Sequence, residues 1–145
     1  MYLLDTNVIS EMRRGRNADA GVRQFLHDFE DDLYLPVQVI GELRYGVESL
    51  RRKSDHPQAK MLELWLNDVL ETYAGRIKSF DLECAQIWGT MSAATHQSAI
   101  DKQIAAIALV YDLTIVTRNT RHYAGTGTRV LNPFEADAPE ATSIL

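Results

Sequence analysis

Residues 2–9 read YLLDTNVI, and this stretch decides the fold. Its first three residues form a short apolar run, which predicts a buried strand. The cluster Asp5-Thr6-Asn7 that follows is typical of a helix start, and the apolar positions from Val8 to Met12 have helical spacing. The stretch therefore predicts a strand that leads directly into a short helix.

The same alternation of strand and helix continues along the chain. Strands are predicted at residues 2–4, 33–35, 76–80, 113–117 and 129–131, and helices around residues 6–14, 18–29, 40–50, 61–73, 81–91 and 98–111. This order predicts an α/β domain with a short, mostly parallel sheet flanked by helices. Ligands of such sheets bind beyond the carboxyl ends of the strands, so the residues that follow each strand are candidates for function.

Length and composition limit the class of protein. The chain has 145 residues and a mass of 16.4 kDa, which is the size of one domain. It is 46% hydrophobic and 24% charged, which excludes intrinsic disorder. A single cysteine excludes an internal disulfide and a cysteine-rich zinc site. No apolar stretch is long enough to cross a bilayer, and no signal-like segment follows Met1, which predicts a cytoplasmic protein.

The charge balance is acidic. The formal net charge is −5, from 15 Lys and Arg against 20 Asp and Glu, which is unlike a strongly basic nucleic-acid binder. Two locally basic stretches, residues 13–16 and 51–53, leave two interpretations open. They either contact nucleic acid or form solvated helix ends.

Several oxygen-bearing side chains are predicted to meet at one edge of the sheet. Asp5 directly follows the first strand, and Asn119 follows the strand that ends at Thr117. Glu42 lies on the helix after the second strand, and Asp101 lies in the first turn of a later helix. Because the carboxyl ends of parallel strands share an edge, three carboxylates and an amide can converge there.

Such a cluster favours a divalent cation. Two carboxylates ~4 Å apart repel by ~4 kcal/mol at an effective dielectric constant of ~20. A cluster of three therefore needs protons or a cation. Oxygen ligands without cysteine favour Mg²⁺ or Mn²⁺ over zinc. A site of this kind suits phosphodiester hydrolysis by an activated water.

Each candidate also has a structural explanation that the sequence leaves open. Asp5 can cap the helix behind it. Asp101 and Ser98 form the Ser-x-x-Asp pattern of a capping box. Asn119 can cap a turn.

Glu42 borders an apolar helix stripe next to two interior glycines. Gly41 and Gly46 each cost the helix ~1 kcal/mol relative to alanine. They indicate either room for a ligand near Glu42 or close packing against another helix.

Two other kinds of protein are compatible with some of these residues. The histidines His27, His56, His96 and His122 lack metal-ligand spacing, but two of them could serve as acid and base in a metal-independent hydrolase. A phosphoacceptor receiver domain is also α/β with clustered acids. It is disfavoured here, because the first strand ends in a single acid and Arg118 stands where a lysine is needed.

Four segments together resemble the PIN-domain family, specifically the VapC-type toxin ribonucleases of bacterial toxin–antitoxin pairs and their FitB-like branch. They are LLDTNVIS at residues 3–10, GELRYG at 41–46, IDKQIAAIA at 100–108 and LTIVTRNT at 113–120. The resemblance covers residues 1–134 as one PIN domain. Residues 135–145 form an acidic tail that we expect to be partly disordered.

The resemblance implies a parallel sheet flanked by helices and an acidic pocket for Mg²⁺ or Mn²⁺. By motif match, the catalytic and metal-binding positions are held by Asp5, Glu42, Asp101 and Asn119. Asn119 stands where some members have aspartate, so it adds an amide oxygen but no charge. Thr6 and Thr117 match hydroxyl positions that line the same pocket.

The resemblance also implies an activity and partners. It implies a metal-dependent endoribonuclease that acts as a toxin, forms a homodimer and is inhibited by a cognate antitoxin with a DNA-binding domain. Since the acidic excess repels RNA, Arg118 and Arg121 are expected to guide the RNA phosphates. The alternative is a non-catalytic PIN-like binding or regulatory module, which the retention of all three acids disfavours.

Overall fold

The computed structural model describes residues 1–94 and 99–137. Within these ranges the strands are β1 (Tyr2–Leu4), β2 (Leu33–Pro36), β3 (Ile77–Lys78), β4 (Thr114–Val116) and β5 (Val130–Leu131). The helices are α1 (Thr6–Met12), α2 (Ala20–Asp28), α3 (Val37–Arg52), α4 (His56–Thr72), α5 (Leu82–Ala94) and α6 (Ala99–Tyr111). Short 3-10 helices occur at Gly15–Asn17, Glu30–Asp32, Thr120–Tyr123 and Glu135–Asp137.

The strands form one sheet in the order β3-β2-β1-β4-β5, and every neighbouring pair is parallel. This confirms the predicted α/β fold with a parallel sheet. β1 lies at the centre, where Leu4 pairs with Val116 of β4. The residues that follow these two strands, Asp5 and Thr117, therefore leave the sheet side by side at its carboxyl edge.

Both faces of the sheet are buried. Leu4 and Val116 contribute to a core shared with α1 to α4, whereas Leu3 and Ile115 contribute to a core shared with α5 and α6. All four side chains are fully buried. Parallel strands that are covered on both faces need apolar residues at every position. They therefore appear in the sequence as short continuous apolar runs.

Several predicted boundaries differ from the structure by a few residues, β3 and α4 among them. β3 contains only two residues, shorter than the predicted strand at 76–80. α4 begins at His56 and so includes Pro57, whose missing N–H costs nothing in the first turn of a helix. In the described part of the chain, no helix is long and apolar enough to span a membrane.

The segment around residues 133–137 is tied to the start of α2. The Asp19 carboxylate caps α2 by accepting from the Val22 amide, and it also accepts from the amides of Glu135 and Ala136 at 2.9 and 3.1 Å. Asp137 forms an ion pair with Arg118. The boundary at residue 134 stays a prediction, and residues 138–145 of the predicted acidic tail lie outside the described residues.

Replacing Gly21 by alanine is expected to destabilise the fold by about 1–3 kcal/mol, as overpacking does. A Cβ at this position would meet the Pro133 carbonyl oxygen at 2.4 Å and the Glu135 amide nitrogen at 2.8 Å, both rigid backbone atoms. Urea unfolding followed by circular dichroism measures the change. Gly89→Ala is the matched control, since a Cβ there has no neighbour within 4 Å. Equal stability of the two variants would contradict the predicted clash.

Candidate active site

An acidic pocket of about 440 Å³ lies at the carboxyl edge of the sheet. Its lining includes the four side chains predicted to converge, together with three others: Asp5, Glu42, Asp101 and Asn119, and Thr6, Asn7 and His122. The three acids come from the end of β1, from α3 and from the first turn of α6. The structure therefore brings distant parts of the chain to a single site.

Asp5 both caps a helix and belongs to the pocket. Its Oδ1 accepts from the Thr6 amide at 2.8 Å, which begins α1. Its Oδ2 accepts from the Thr117 hydroxyl at 2.9 Å and from the Tyr123 hydroxyl at 3.1 Å. With only 7% of the residue exposed, these three bonds replace the hydration that the carboxylate loses. The sequence left open whether Asp5 caps a helix or belongs to the acidic pocket, and in the structure it does both.

Thr117 is buried beneath the pocket and does not line it, which differs from its predicted place. Its hydroxyl donates to Asp5 and accepts from the Asn7 side-chain amide and the Asn119 backbone amide, each at 3.0 Å. The Asn7 side-chain oxygen accepts from the Arg118 amide at 2.9 Å. Because these bonds occupy its hydroxyl, Thr117 orients Asp5 and the loop after β4.

Glu42 projects from α3 at the pocket wall. Partial loss of hydration raises the pKa of its carboxyl group, and the negative charges of Asp5 and Asp101 raise it further. The nearby Thr6 hydroxyl partly offsets this rise. Apart from this proximity, the buried Thr6 Oγ1 has no partner with hydrogen-bond geometry among the described residues. Its place beside Glu42 suits it to orient that carboxylate.

The two glycines near Glu42 have different surroundings. A Cβ at Gly46 would contact the Leu62 side chain at 3.4 Å, so this glycine packs α3 against α4. A Cβ at Gly41 would meet nothing within 4 Å. Gly41 therefore leaves open space beside Glu42, as one of the two interpretations of the sequence predicts.

Asp101 faces the 3-10 helix that follows β4. Loss of hydration and the charge of Asp5 raise the pKa of its carboxyl group, and contacts with His122 and Tyr123 partly offset the rise. The His122 Nδ1 lies 3.3 Å from Asp101 Oδ2. Ser98, the other half of the predicted capping box, lies outside the described residues.

Sequence reasoning missed Asn7, His122 and Tyr123 as members of the site. Burial and the neighbouring carboxylates raise the pKa of Tyr123, so its hydroxyl keeps its proton and donates to Asp5. No spacing rule predicts a contact between residues 118 positions apart. Of the histidines that the structure describes, His122 alone lines the pocket, which leaves the two-histidine hydrolase without a second partner there. His96 lies outside the described residues.

The donor set fits a hydrated Mg²⁺ or Mn²⁺ ion. The pocket offers carboxylate, amide and hydroxyl oxygens, which these ions prefer. Within residues 1–94 and 99–137, no three His, Cys, Asp or Glu side chains form a group able to hold an ion directly. Mg²⁺ usually keeps several waters and takes only one or two carboxylates, so the spacing suits an ion bound partly through water.

The two arginines predicted to guide RNA differ in their surroundings. Arg118 makes a bidentate ion pair with Asp137 at 2.9 and 3.0 Å and stacks on the Phe134 ring. Arg121 is exposed beside the acidic pocket and makes no ion pair within the described residues. Of these two arginines, Arg121 is therefore the one that is free to contact a phosphate.

A separate cavity of about 490 Å³ lies at the opposite edge of the sheet, near the end of α1 and the start of β2. Its Arg76 is already bonded to the Glu30 carbonyl oxygen at 2.7 Å and covers the Tyr73 ring. This cavity lacks the cluster of carboxylates that distinguishes the acidic pocket.

Comparison with known proteins identifies the family. The family model for the PIN domain matches residues 2–126. The chain belongs to the PIN-domain family. This confirms the resemblance found in the sequence.

Relatives match this PIN domain along nearly its whole length. It is 36% identical over 140 residues to Toxin FitB of Neisseria gonorrhoeae, a match that covers 92% of this chain and 99% of FitB. It is 29% identical over 144 residues to VapC ribonuclease Y4jK of Sinorhizobium fredii, covering 93% and 99%. The crystal structure of FitAcB from Neisseria gonorrhoeae has a TM-score of 0.80 and 33% identity, covering 92% of this chain and 98% of that chain.

Glu42→Gln is expected to stabilise the metal-free PIN domain more at neutral than at acidic pH. An acid whose pKa is raised in the folded state contributes stability below its unfolded pKa, near 4.5 for Glu42, and loses it as the pH rises through the folded value. The ionised Glu42 therefore opposes folding at neutral pH, whereas a neutral amide does not.

Thermal unfolding in EDTA, from about pH 4 to about pH 8, measures this difference between Glu42→Gln and the wild type. Glu71→Gln, on the exposed side of α4, is the control and should show no such trend. A difference that stays constant or shrinks as the pH rises would contradict the prediction.

Proposed function

We propose that this PIN domain is a Mg²⁺- or Mn²⁺-dependent endoribonuclease that hydrolyses RNA phosphodiester bonds. The observation that carries the proposal is the shared pocket of Asp5, Glu42 and Asp101. The pKa values of Glu42 and Asp101 are raised because both carboxyl groups lose hydration and face the charge of Asp5, a repulsion that a bound cation would relieve. A relative whose match covers 93% of this chain is named VapC ribonuclease Y4jK, and this name supports RNA as the substrate.

The side chains have distinct roles in this proposal. Asp5, Glu42, Asp101 and Asn119 would hold the cation. A bound divalent ion neutralises developing charge on the scissile phosphate and activates a water. Thr117 and Tyr123 hold Asp5 in one orientation by donating to its Oδ2, so the carboxylate does not rotate away from the pocket. The Thr6 hydroxyl lies beside Glu42 at the pocket and would help to orient that carboxylate.

We further propose that the ribonuclease acts in the cytoplasm as the toxin of a toxin–antitoxin pair and as a homodimer. Its likeness to Toxin FitB and to the FitAcB structure supports this role. The cognate antitoxin would carry a DNA-binding domain and a basic segment. A basic side chain that reached the three carboxylates would relieve the same repulsion as a cation, which gives inhibition a physical basis.

Asp5→Asn is expected to lower RNA cleavage at least about 100-fold, since it removes the central charge of the cation site. The measurement is cleavage of single-stranded RNA with Mn²⁺, with and without EDTA. Glu42→Gln should also be inactive and makes fewer structural contacts, so it separates loss of chemistry from loss of folding. Asp68→Asn, an exposed acid on α4, is the matched control and should cut normally. If both pocket variants cleaved RNA as fast as the wild type, the pocket would not be catalytic, and the alternative of a non-catalytic PIN-like module would be favoured.

Arg121→Ala is expected to raise KM several-fold with little change in kcat, and to weaken the dependence of KM on salt. The reason is that Arg121 is an exposed cation next to the pocket and is free to contact a phosphate. Steady-state cleavage at several salt concentrations measures both effects. Arg129→Ala, a control at the other edge of the sheet, should leave KM unchanged. Unchanged KM and salt dependence in Arg121→Ala would contradict its role in guiding RNA.

A further inference from the structure

A second cavity, of about 600 Å³, opens beside the acidic pocket and shares Thr6 and Glu42 with it. The rest of its lining is uncharged and comes from α3 and α6: Gln38, Gly41, Tyr45, Ile100 and Gln103. We refer to it as the neutral cavity. A molecule bound at the carboxylates can therefore extend directly into it.

Tyr45 presents an aromatic ring at this cavity. It follows Glu42 by three positions on α3, which places the two residues on the same helix face. The residue is 76% exposed, so its ring is not used in the core. Ile100 at the start of α6 is also exposed and adds apolar surface. Together they offer a planar, apolar contact surface.

Two amide side chains provide polar groups in the same cavity. Gln38 of α3 donates to the side-chain oxygen of Gln103 of α6 at 3.3 Å. The side-chain oxygen of Gln38 is itself buried and has no hydrogen-bond partner among the described residues. A rotation of the Gln38 amide that turned this oxygen towards the cavity would let it accept from an N–H group of a ligand.

The lining chemistry selects the kind of ligand. Beyond Glu42 the neutral cavity has no charged group, so a second phosphate finds no partner there. A flat, uncharged group with apolar faces and hydrogen-bonding edges matches an aromatic ring combined with amides. A nucleobase of unpaired RNA is such a group, and stacking on an aromatic residue is a common way to bind one.

We propose that the neutral cavity binds one unpaired nucleobase of the RNA, next to the phosphate at the acidic pocket. Tyr45 stacks on the base, and Gln38 and Gln103 contact its edge. The cavity then determines which nucleotide stands beside the cleaved bond. This inference rests on the proposed ribonuclease activity. It adds which part of the molecule would make that activity selective for a base.

The first test uses a single-stranded RNA oligonucleotide and copies in which one nucleotide at a time is abasic. For the wild type, one abasic position next to the cleaved bond should lower kcat/KM about tenfold, the size of a lost stacking contact. Tyr45→Ala should lower kcat/KM to a similar extent on the intact RNA and should be insensitive to that abasic position. Tyr45→Phe keeps the ring and should therefore remain sensitive to that abasic position, unlike Tyr45→Ala.

The second test fills the cavity from a position that tolerates a side chain. Gly41→Leu adds bulk where a Cβ meets nothing within 4 Å, so it should fold normally and yet weaken cleavage and change the base preference at one position. Gly89→Leu is the matched control on α5, since it too has no neighbour within 4 Å and lies away from the cavity. Sequencing the RNA ends from a random-sequence library reads out the preference.

The outcomes separate this inference from the proposed function. If Asp5→Asn is inactive while Tyr45→Ala and Gly41→Leu cut with wild-type efficiency and base preference, the base-binding role is wrong and the ribonuclease stands. If, in addition, Tyr45→Ala no longer bound the antitoxin, the cavity would be the binding site of a segment of the antitoxin instead. If Asp5→Asn and Glu42→Gln cut like the wild type, the proposed function fails, and this inference fails with it.

Discussion

The acidic pocket depends on the parallel pairing of β1 with β4. The register sets Leu4 beside Val116, and the Asp5 amide continues the ladder by donating to the Val116 carbonyl oxygen at 3.0 Å. Asp5 and Thr117 therefore emerge together, close enough for a bond between side chains 112 positions apart. A slip of one residue would send Leu3 and Leu4 each into the opposite core, so the packing that fills the two cores also fixes the site.

The chain stabilises its three carboxylates unequally. Asp5 is buried, but three hydrogen bonds from the protein compensate for the hydration it has lost. Glu42 and Asp101 have raised pKa values, because they lose hydration and face the charge of Asp5. A fold selected for stability alone would replace such groups with neutral ones. The proposed cation would relieve the repulsion among these three charges.

Local patterns were sufficient to predict the strands and the places of Asp5, Glu42 and Asp101 in the fold, because Asp5 directly follows an apolar strand and the other two acids lie on helices with a clear periodicity. They were insufficient for Tyr123, which reaches Asp5 from a 3-10 helix without an amphipathic pattern. Thr117 shows a different failure. Its position at a strand end was correctly predicted, but whether its hydroxyl faces the pocket or the core depends on contacts that no sequence pattern reports.

Several arginines of this acidic PIN domain are paired with its own acids, which bears on how it would select the proposed RNA substrate. Arg118 is paired with Asp137, and Arg51, in one of the basic stretches, is paired with Glu63. Since the net charge is −5, the electrostatic contribution to the proposed RNA binding would be small, and binding would depend more on contacts to individual bases. The neutral cavity, where Glu42 is the one charged residue of the lining, is where the proposed base contact would add affinity without adding positive charge. The acidic composition and the neutral cavity thus favour the same mode of recognition, in which the base and not the backbone identifies the substrate.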